Sequence, residues 1–325
     1  MGPGFSLAPL ASEVTTEGGL GTISSAGLSP NELYEEIKKA KRMSNNGPIA
    51  VNILCKIVKY KESVEAAIKA GADAIVSGAG LPLGLPSTPP GHTALIPIIS
   101  SARALELIVR HWERFHYRPD AAVLEGPLAG GHLGFKFEDI DNPECTLENL
   151  LPLVLKVAHK HGDFPIIVAG GIYTHEDIIK FLKMGASAVQ MSTRFLVTEK
   201  SSASEEYKQA VISASMDDII VVSHPEKTPA SPCGLPFRLL TSSPMVLAAD
   251  NRELHCPKGW LAPKGICKAQ DNRDYFCACG GLDAASFTGR TSTEQKLYTV
   301  GQNACRVDRE LTVHDLMHEL CGEKT

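Results

Sequence analysis

Between residues 20 and 195 one pattern repeats along the chain: a short apolar run, a loop with glycine or serine, then apolar residues at helical spacing. The runs are G-T-I-S-S (21–25), I-A-V-N-I-L (49–54), D-A-I-V-S-G (73–78), L-I-P-I-I-S (95–100), A-A-V-L-E-G (121–126), P-I-I-V-A-G-G (165–171) and S-A-V-Q-M-S (187–192). Most are almost continuously apolar, as parallel strands covered on both faces are. The stretches between them, such as N-E-L-Y-E-E-I-K-K-A-K-R-M and T-H-E-D-I-I-K-F-L-K-M-G, read as amphipathic helices. The second carries Thr174 as its N-cap, Asp177 at N3 and Gly185 as its C-terminal glycine. Regular alternation of this kind predicts an α/β fold with a parallel sheet.

Polar residues and glycines gather at the C-terminal ends of the runs: Asn52, Ser77, Ser100, Glu125, Gly170, Gly171 and Gln190. In a (β/α)8 TIM barrel those ends share one rim, where active sites are built. A doubly wound sheet is the other architecture, but its G-x-G-x-x-G after the first strand is absent. Seven strands are countable where a closed barrel has eight. The one to miss is the first, because the chain opens on a glycine-rich loop and the helical stretch F-S-L-A-P-L-A-S-E-V. The expectation is a barrel whose first strand has been lost from the sequence. Alternation stops after residue 200, so residues 200–295 read as an inserted lid domain with the cysteine cluster. Residues 1–199 and 296–325 then form the barrel domain.

Composition removes several function classes. The 325 residues are 43% hydrophobic and 21% charged, with a formal net charge of -5 and no basic run, which argues against nucleic acid as a partner. No apolar segment reaches the roughly 18 residues of a membrane helix, and the N-terminus lacks a secretory pattern. The expected location is the cytoplasm, the expected partner a small-molecule substrate; a homodimer is left open.

Three groups of residues carry candidate chemistry. Gly170 and Gly171 after one strand, with Gln190, Met191, Ser192 and Thr193 after the next, occupy the barrel position that commonly cradles a phosphate. The loop E-G-P-L-A-G-G-H-L-G-F places His132 among glycines, where Gly130 and Gly131 would let backbone lie against a planar ligand. A turn residue and an acid/base are both open readings for His132, and a metal ligand is disfavoured by the lack of a second ligand at metal spacing. Asn52 serves as a loop cap or as a partner for a heteroaromatic edge. Separately, Cys256, Cys267, Cys277 and Cys279 fall within 24 residues. They are candidate ligands for zinc or an iron–sulfur cluster, although intervals of ten, nine and one residues are not C-x-x-C pairs and favour free or paired thiols.

Taken in order, G-G-L-G-T-I-S-S-A-G, I-A-V-N-I-L, V-S-G-A-G-L-P, P-I-I-S-S-A, E-G-P-L-A-G-G-H-L-G-F, I-V-A-G-G-I, A-V-Q-M-S-T-R-F and the closing G-Q-N-A-C-R-V-D resemble one family. It is the flavin-dependent nitronate monooxygenases (2-nitropropane dioxygenases), which also include flavin-dependent enoyl-ACP reductases and NAD(P)H:quinone reductases. The resemblance implies a (β/α)8 barrel with a small lid, non-covalent FMN and a catalytic histidine at His132. Its FMN contacts fall on Met1, Gly2, Gly4, Asn52, Glu125, Gly131, Gly170, Gly171, Gln190, Met191, Ser192 and Thr193. It implies oxidation of alkyl nitronates or nitroalkanes with O₂ to a carbonyl compound and nitrite. The alternative is an NAD(P)H-dependent enoyl-ACP or quinone reductase on the same FMN site. A flavin- or metal-binding module with a redox-sensing cysteine insert is the non-enzymatic reading. The resemblance says nothing about the cysteine cluster.

Overall fold

The seven apolar runs form the seven strands of one parallel sheet. The computed structural model describes residues 3–223, 230–231, 234–248, 251, 269, 273–286 and 295–323. The sheet strands are β1 (Gly21–Ser24), β2 (Ile49–Leu54), β3 (Ala74–Gly78), β4 (Ala94–Ile99), β5 (Ala122–Glu125), β7 (Ile166–Ala169) and β8 (Ala188–Gln190). They lie in the order β1-β2-β3-β4-β5-β7-β8, so the chain adds each strand beside the previous one, as a barrel does. Register fixes the rim. Ser24 pairs with Asn52, Glu125 with Ala169, and Ala169 with Gln190, which brings those strand ends level.

The helices between strands behave as their sequences dictate. In α2 (Pro30–Met43), Ser29 and Glu32 form a capping box, and Leu33, Ile37 and Ala40 recur on the buried face. Helix α3 (Tyr60–Ala70) ends on Gly71, whose φ of 83° only glycine adopts at little cost. Helix α6 (His175–Lys183) has the expected Thr174–Asp177 capping box. Helices α4 (Ala102–Trp112) and α5 (Leu147–Lys160) complete the outer layer; α4 buries Leu105, Ile108, Val109 and Trp112.

Helix α1 (Ala8–Thr16) packs unusually close to β1. A Cβ on Gly21 would lie 1.8 Å from the Ala11 carbonyl oxygen, and the Gly21 amide donates to Thr15 Oγ1 at 3.1 Å.

Among the described residues no backbone ladder joins β8 to β1, so the sheet is a curled half-barrel with two edges facing a seam. Three helices flank that seam: α1, α6 and α11 (Val313–Cys321), with α11 packed on both of the others. His175 donates a ring N–H to the Leu320 carbonyl at 2.9 Å, and Glu319 pairs with Arg194.

Past the short α7 (Thr193–Leu196), the chain forms α8 (Glu205–Ile212) and α9 (Pro244–Leu247), and strands that its irregular composition hides. Strands β9 (Ile219–Val222) and β10 (Phe237–Leu240) pair antiparallel, and β10 also pairs with the two-residue β6 (Gly131–His132). A second apolar cluster forms around them, from Phe5 and Leu196 through Tyr207, Phe237 and Phe276 to Tyr298 and Val300. Tyr207 stacks on Tyr298 at 4.6 Å and accepts the Thr299 amide at 2.8 Å, which pins the segment 297–301.

Replacing Gly21 by alanine forces α1 off the sheet. The expected cost is about 3 kcal/mol, at the upper end for overpacking because the obstacle is backbone. A urea denaturation midpoint equal to that of the parent would contradict this packing.

Candidate active site

His132 sits where the two sheets meet. Its strand β6 pairs with β10 so that His132 lies opposite Phe237. The Phe237 ring meets the imidazole edge-on, centroids 4.7 Å apart, and Nε2 shares a hydrogen bond of 2.7 Å with the Ser231 hydroxyl. An aromatic wall and a hydroxyl thus set the plane and direction of the ring.

The conformation of its loop is imposed from below by Arg238. This side chain is 2% exposed and donates from Nη1 to the carbonyls of Pro127, at 2.7 Å, and Ala129, at 2.5 Å. Burial lowers its pKa to about 10, with the Asp141 charge pulling the other way, so it stays charged at neutral pH. The glycines of the loop have specific causes. A Cβ on Gly130 would lie 2.5 Å from the Val300 carbonyl group, so the 300–301 backbone by itself requires glycine there. Gly131 has φ of 71°, the left-handed region.

His132 opens on a cavity of about 1130 Å³ that Asn52, Glu125, Gly131, Gly170, Gly171 and Gln190 line. Met191, Ser192 and Thr193 line it as well. Asn52 is anchored by its Nδ2 donating to the Val76 carbonyl at 3.2 Å, on the neighbouring strand. Gly170 and Gly171 both have positive φ, 92° and 83°. Their Cβ positions are taken by the Gly126–Ala129 loop and by Leu128, so the turn and the histidine loop interlock. Asn303 donates to the Gly171 carbonyl at 2.5 Å, and the Gly301 amide donates to Thr193 Oγ1 at 3.0 Å. The cavity also runs through the seam, where Leu10, Val14, Ala188 and Met317 line it, so its volume exceeds that of an ordinary ligand site.

Other rim residues have different work. Ser77 donates to the Ile53 carbonyl at 2.9 Å and bonds Tyr60, inside the wall, not into the cavity. Gly4 makes a buried left-handed turn with φ of 75°, and its neighbours Pro3, Phe5 and Ser6 line the cavity in its place. Met1 and Gly2 lie outside the described residues.

The family model for nitronate monooxygenase matches residues 1–77 and 56–323. This chain belongs to the nitronate monooxygenase family. A probable nitronate monooxygenase of Staphylococcus haemolyticus is 27% identical over 252 residues, 67% of this chain and 69% of its own length. A hydroxy-methyl-oxo-octahydroindene-carboxyl-CoA dehydrogenase of Mycobacterium tuberculosis is 29% identical over 235 residues, 72% of this chain. The match spans 59% of that dehydrogenase's length. Among solved structures, FabK of Thermotoga maritima superposes with a TM-score of 0.73 at 26% identity, over 98% of this chain and 88% of FabK. A nitroalkane oxidase of Streptomyces ansochromogenes shares the fold, with a TM-score of 0.72 at 20% identity.

Of the four candidate cysteines, two lie among the described residues. Cys277 caps α10 (Ala278–Ala284), its Sγ accepting the Gly280 amide at 3.4 Å, while Cys279 lines the cavity. Cys256 and Cys267 lie outside the described residues. Ser231, Arg238 and Thr299 shape the site although no local motif marks them, and Asn303 does so from within the closing G-Q-N-A-C-R-V-D segment.

Two outcomes follow from this geometry. Arg238→Met leaves two loop carbonyls without donors and should cost about 2 kcal/mol of stability. Chemical denaturation reads the cost, and a loss below about 0.5 kcal/mol would deny the staple. Glu125 lies in the cavity wall, and burial pushes its carboxyl up to about 7, with the His132 charge pulling the other way. Between its ordinary 4.5 and about 7 the unfolded chain has released this proton and the folded chain has kept it. Folded-state stability therefore falls as pH rises through that window. Glu125→Gln should lack the decline, and parallel stability curves for the two proteins would reject the shift.

Proposed function

We propose that this chain is an FMN-dependent oxidoreductase that oxidises alkyl nitronates or nitroalkanes with O₂, giving a carbonyl compound and nitrite. The observation that carries the reading is convergence on one cavity. His132 stands at one side, Asn52 and Glu125 on two strand ends, and the Gly170–Gly171 turn beside Gln190–Thr193 on two more. The residues fit the cofactor. Carboxamides of Asn52 and Gln190 suit the polar edge of a heteroaromatic ring, and the paired turn at β7 and β8 stands where α/β barrels hold phosphate. Bound flavin supplies electron transfer between substrate and O₂, chemistry that no side chain here provides.

The chain's own part is acid/base work and position. His132 takes the α-proton of a neutral nitroalkane, or in its protonated form holds the nitro oxygens of an anionic nitronate. Ser231 and Phe237 keep the ring turned so that this happens at a fixed place.

Likeness to FabK over nearly the whole chain favours a second reading on the same site. There bound flavin would carry electrons from NAD(P)H to an enoyl thioester or quinone, and His132 would donate the α-proton to the thioester. The CoA-ester name of the mycobacterial relative supports the thioester side.

Turnover with propionate 3-nitronate, set against NAD(P)H with crotonyl thioester or quinone, separates the two. In either case His132→Ala should lower kcat/KM by about 100- to 10,000-fold while flavin stays bound. Unchanged turnover with flavin retained removes His132 from the mechanism, and a purified chain that binds no flavin removes both readings.

A further inference from the structure

Away from the cavity, three metal-ligating side chains meet across the seam. Helix α11 carries His314 and His318, four residues apart and so on one face. Their rings lie 4.1 Å apart between centroids. Glu17, the residue that closes α1, reaches over from the other side and places Oε2 2.9 Å from His314 Nδ1. One ligand atom from each of the three lies within 4.8 Å of the others. Glu17 is the most covered of the set, its side chain 19% exposed against 57% for His314. A carboxylate there faces imidazoles rather than a lysine or arginine among the described ion pairs.

The separations, 2.9 Å between Glu17 and His314 and no more than 4.8 Å for the others, bracket those around a tetrahedral ion. Zinc bound to nitrogen and oxygen at about 2.0–2.2 Å sets its ligand atoms roughly 3.3–3.5 Å apart, so the Glu17–His314 pair need open by only a few tenths of an ångström. Glu323 lies 2.7 Å from His318 Nδ1, the kind of carboxylate partner that orients a ligating imidazole through its other nitrogen. Two imidazoles and one carboxylate select zinc over calcium or magnesium, which take oxygen.

We propose that Glu17, His314 and His318 form a zinc site that clips the C-terminal helix α11 to α1 across the open seam. Where neighbouring strands elsewhere are joined by backbone ladders, this seam has none among the described residues. Side-chain contacts of α11 with α1 and α6 bridge it, and a bound ion adds a cross-link between two elements almost 300 residues apart in sequence, Glu17 and His314 being separated by 297. The inference stands apart from the flavin chemistry, because none of the three residues lines the cavity.

The test uses the full-length, tag-free chain, stripped of metal by chelation and titrated with Zn²⁺ and with Co²⁺. The parent should bind one equivalent of Zn²⁺ that His314→Ala/His318→Ala does not, and only the parent should gain thermal stability from it. Glu17→Gln, which preserves shape, should weaken that equivalent by about tenfold or more. Co²⁺ in the same site should show visible ligand-field bands without the sulfur-to-metal charge-transfer band of a thiolate site. Cys277→Ser/Cys279→Ser should leave these bands intact. Equal zinc stoichiometry and affinity in parent and double-histidine variant would overturn the proposal. So would a Co²⁺ spectrum whose bands vanish with the cysteines instead of the histidines.

Discussion

The histidine loop keeps its shape because one guanidinium is buried beneath it. Arg238 belongs to β10, in the small antiparallel sheet, yet its hydrogen bonds go to Pro127 and Ala129, in the loop that follows a strand of the parallel sheet. Burying a cation is unfavourable unless its protons find acceptors; two carbonyls take up Nη1, while Nε is buried with no hydrogen-bond partner among the described residues. The arrangement turns a cost into a geometric constraint. With the loop held at 127 and 129, and β6 laddered to β10 at 131 and 132, the imidazole has little freedom left. The orientation of His132 against the cavity is therefore set by two parts of the chain that one side chain locks together.

Much of this was legible beforehand, for a definite reason. Parallel strands buried on both faces must be apolar throughout, so seven runs announced seven strands, and their polar C-terminal residues announced the rim. Asn52, Glu125, Gly170, Gly171 and Gln190 all line the cavity. Local pattern cannot show a contact made across a long stretch of chain. Phe-Arg-Leu-Leu at 237–240 reads as a short apolar segment with one stray charge, and only the fold shows that the charge is directed inward at Pro127 and Ala129. Gly130 is glycine because the Val300 backbone passes over it, a cause 170 residues distant that no motif encodes. Ser77 looked like a rim residue and is engaged with Ile53 and Tyr60 inside the wall. Periodicity assigned its strand correctly but could not say which neighbour its hydroxyl would find.

The open seam changes how the rim is supported on its last strand. Among the described residues strand β8 has a ladder to β7 only, and Ala188 is exposed. An edge strand with unpaired backbone groups is a poor platform for a binding turn. Other contacts take the place of the missing ladder. Thr193 accepts the Gly301 amide at 3.0 Å, and Arg194 donates to the Tyr173 carbonyl at 3.1 Å while pairing with Glu319. Tyr173 is in turn flanked by the guanidinium groups of Arg194 and Arg306, 4.6 and 4.1 Å from its ring centre.

Besides Tyr173 in the loop before α6, these contacts come from the segment around Gly301 and helix α11, both late in the chain. The end of β8 thus depends on residues that fold onto it last in sequence and across the seam. A disturbance of α11 would reach Gln190–Thr193 through Glu319 and Arg194, and the cavity wall directly through Met317. The same helix faces α1, whose close approach at Gly21 fixes the opposite edge of the sheet. Both edges of the half-barrel are therefore referred to one helix pair. Whatever strengthens the junction of α1 with α11 also holds the two ends of the rim at a set distance, and with them the width of the cavity between Asn52 and Gln190.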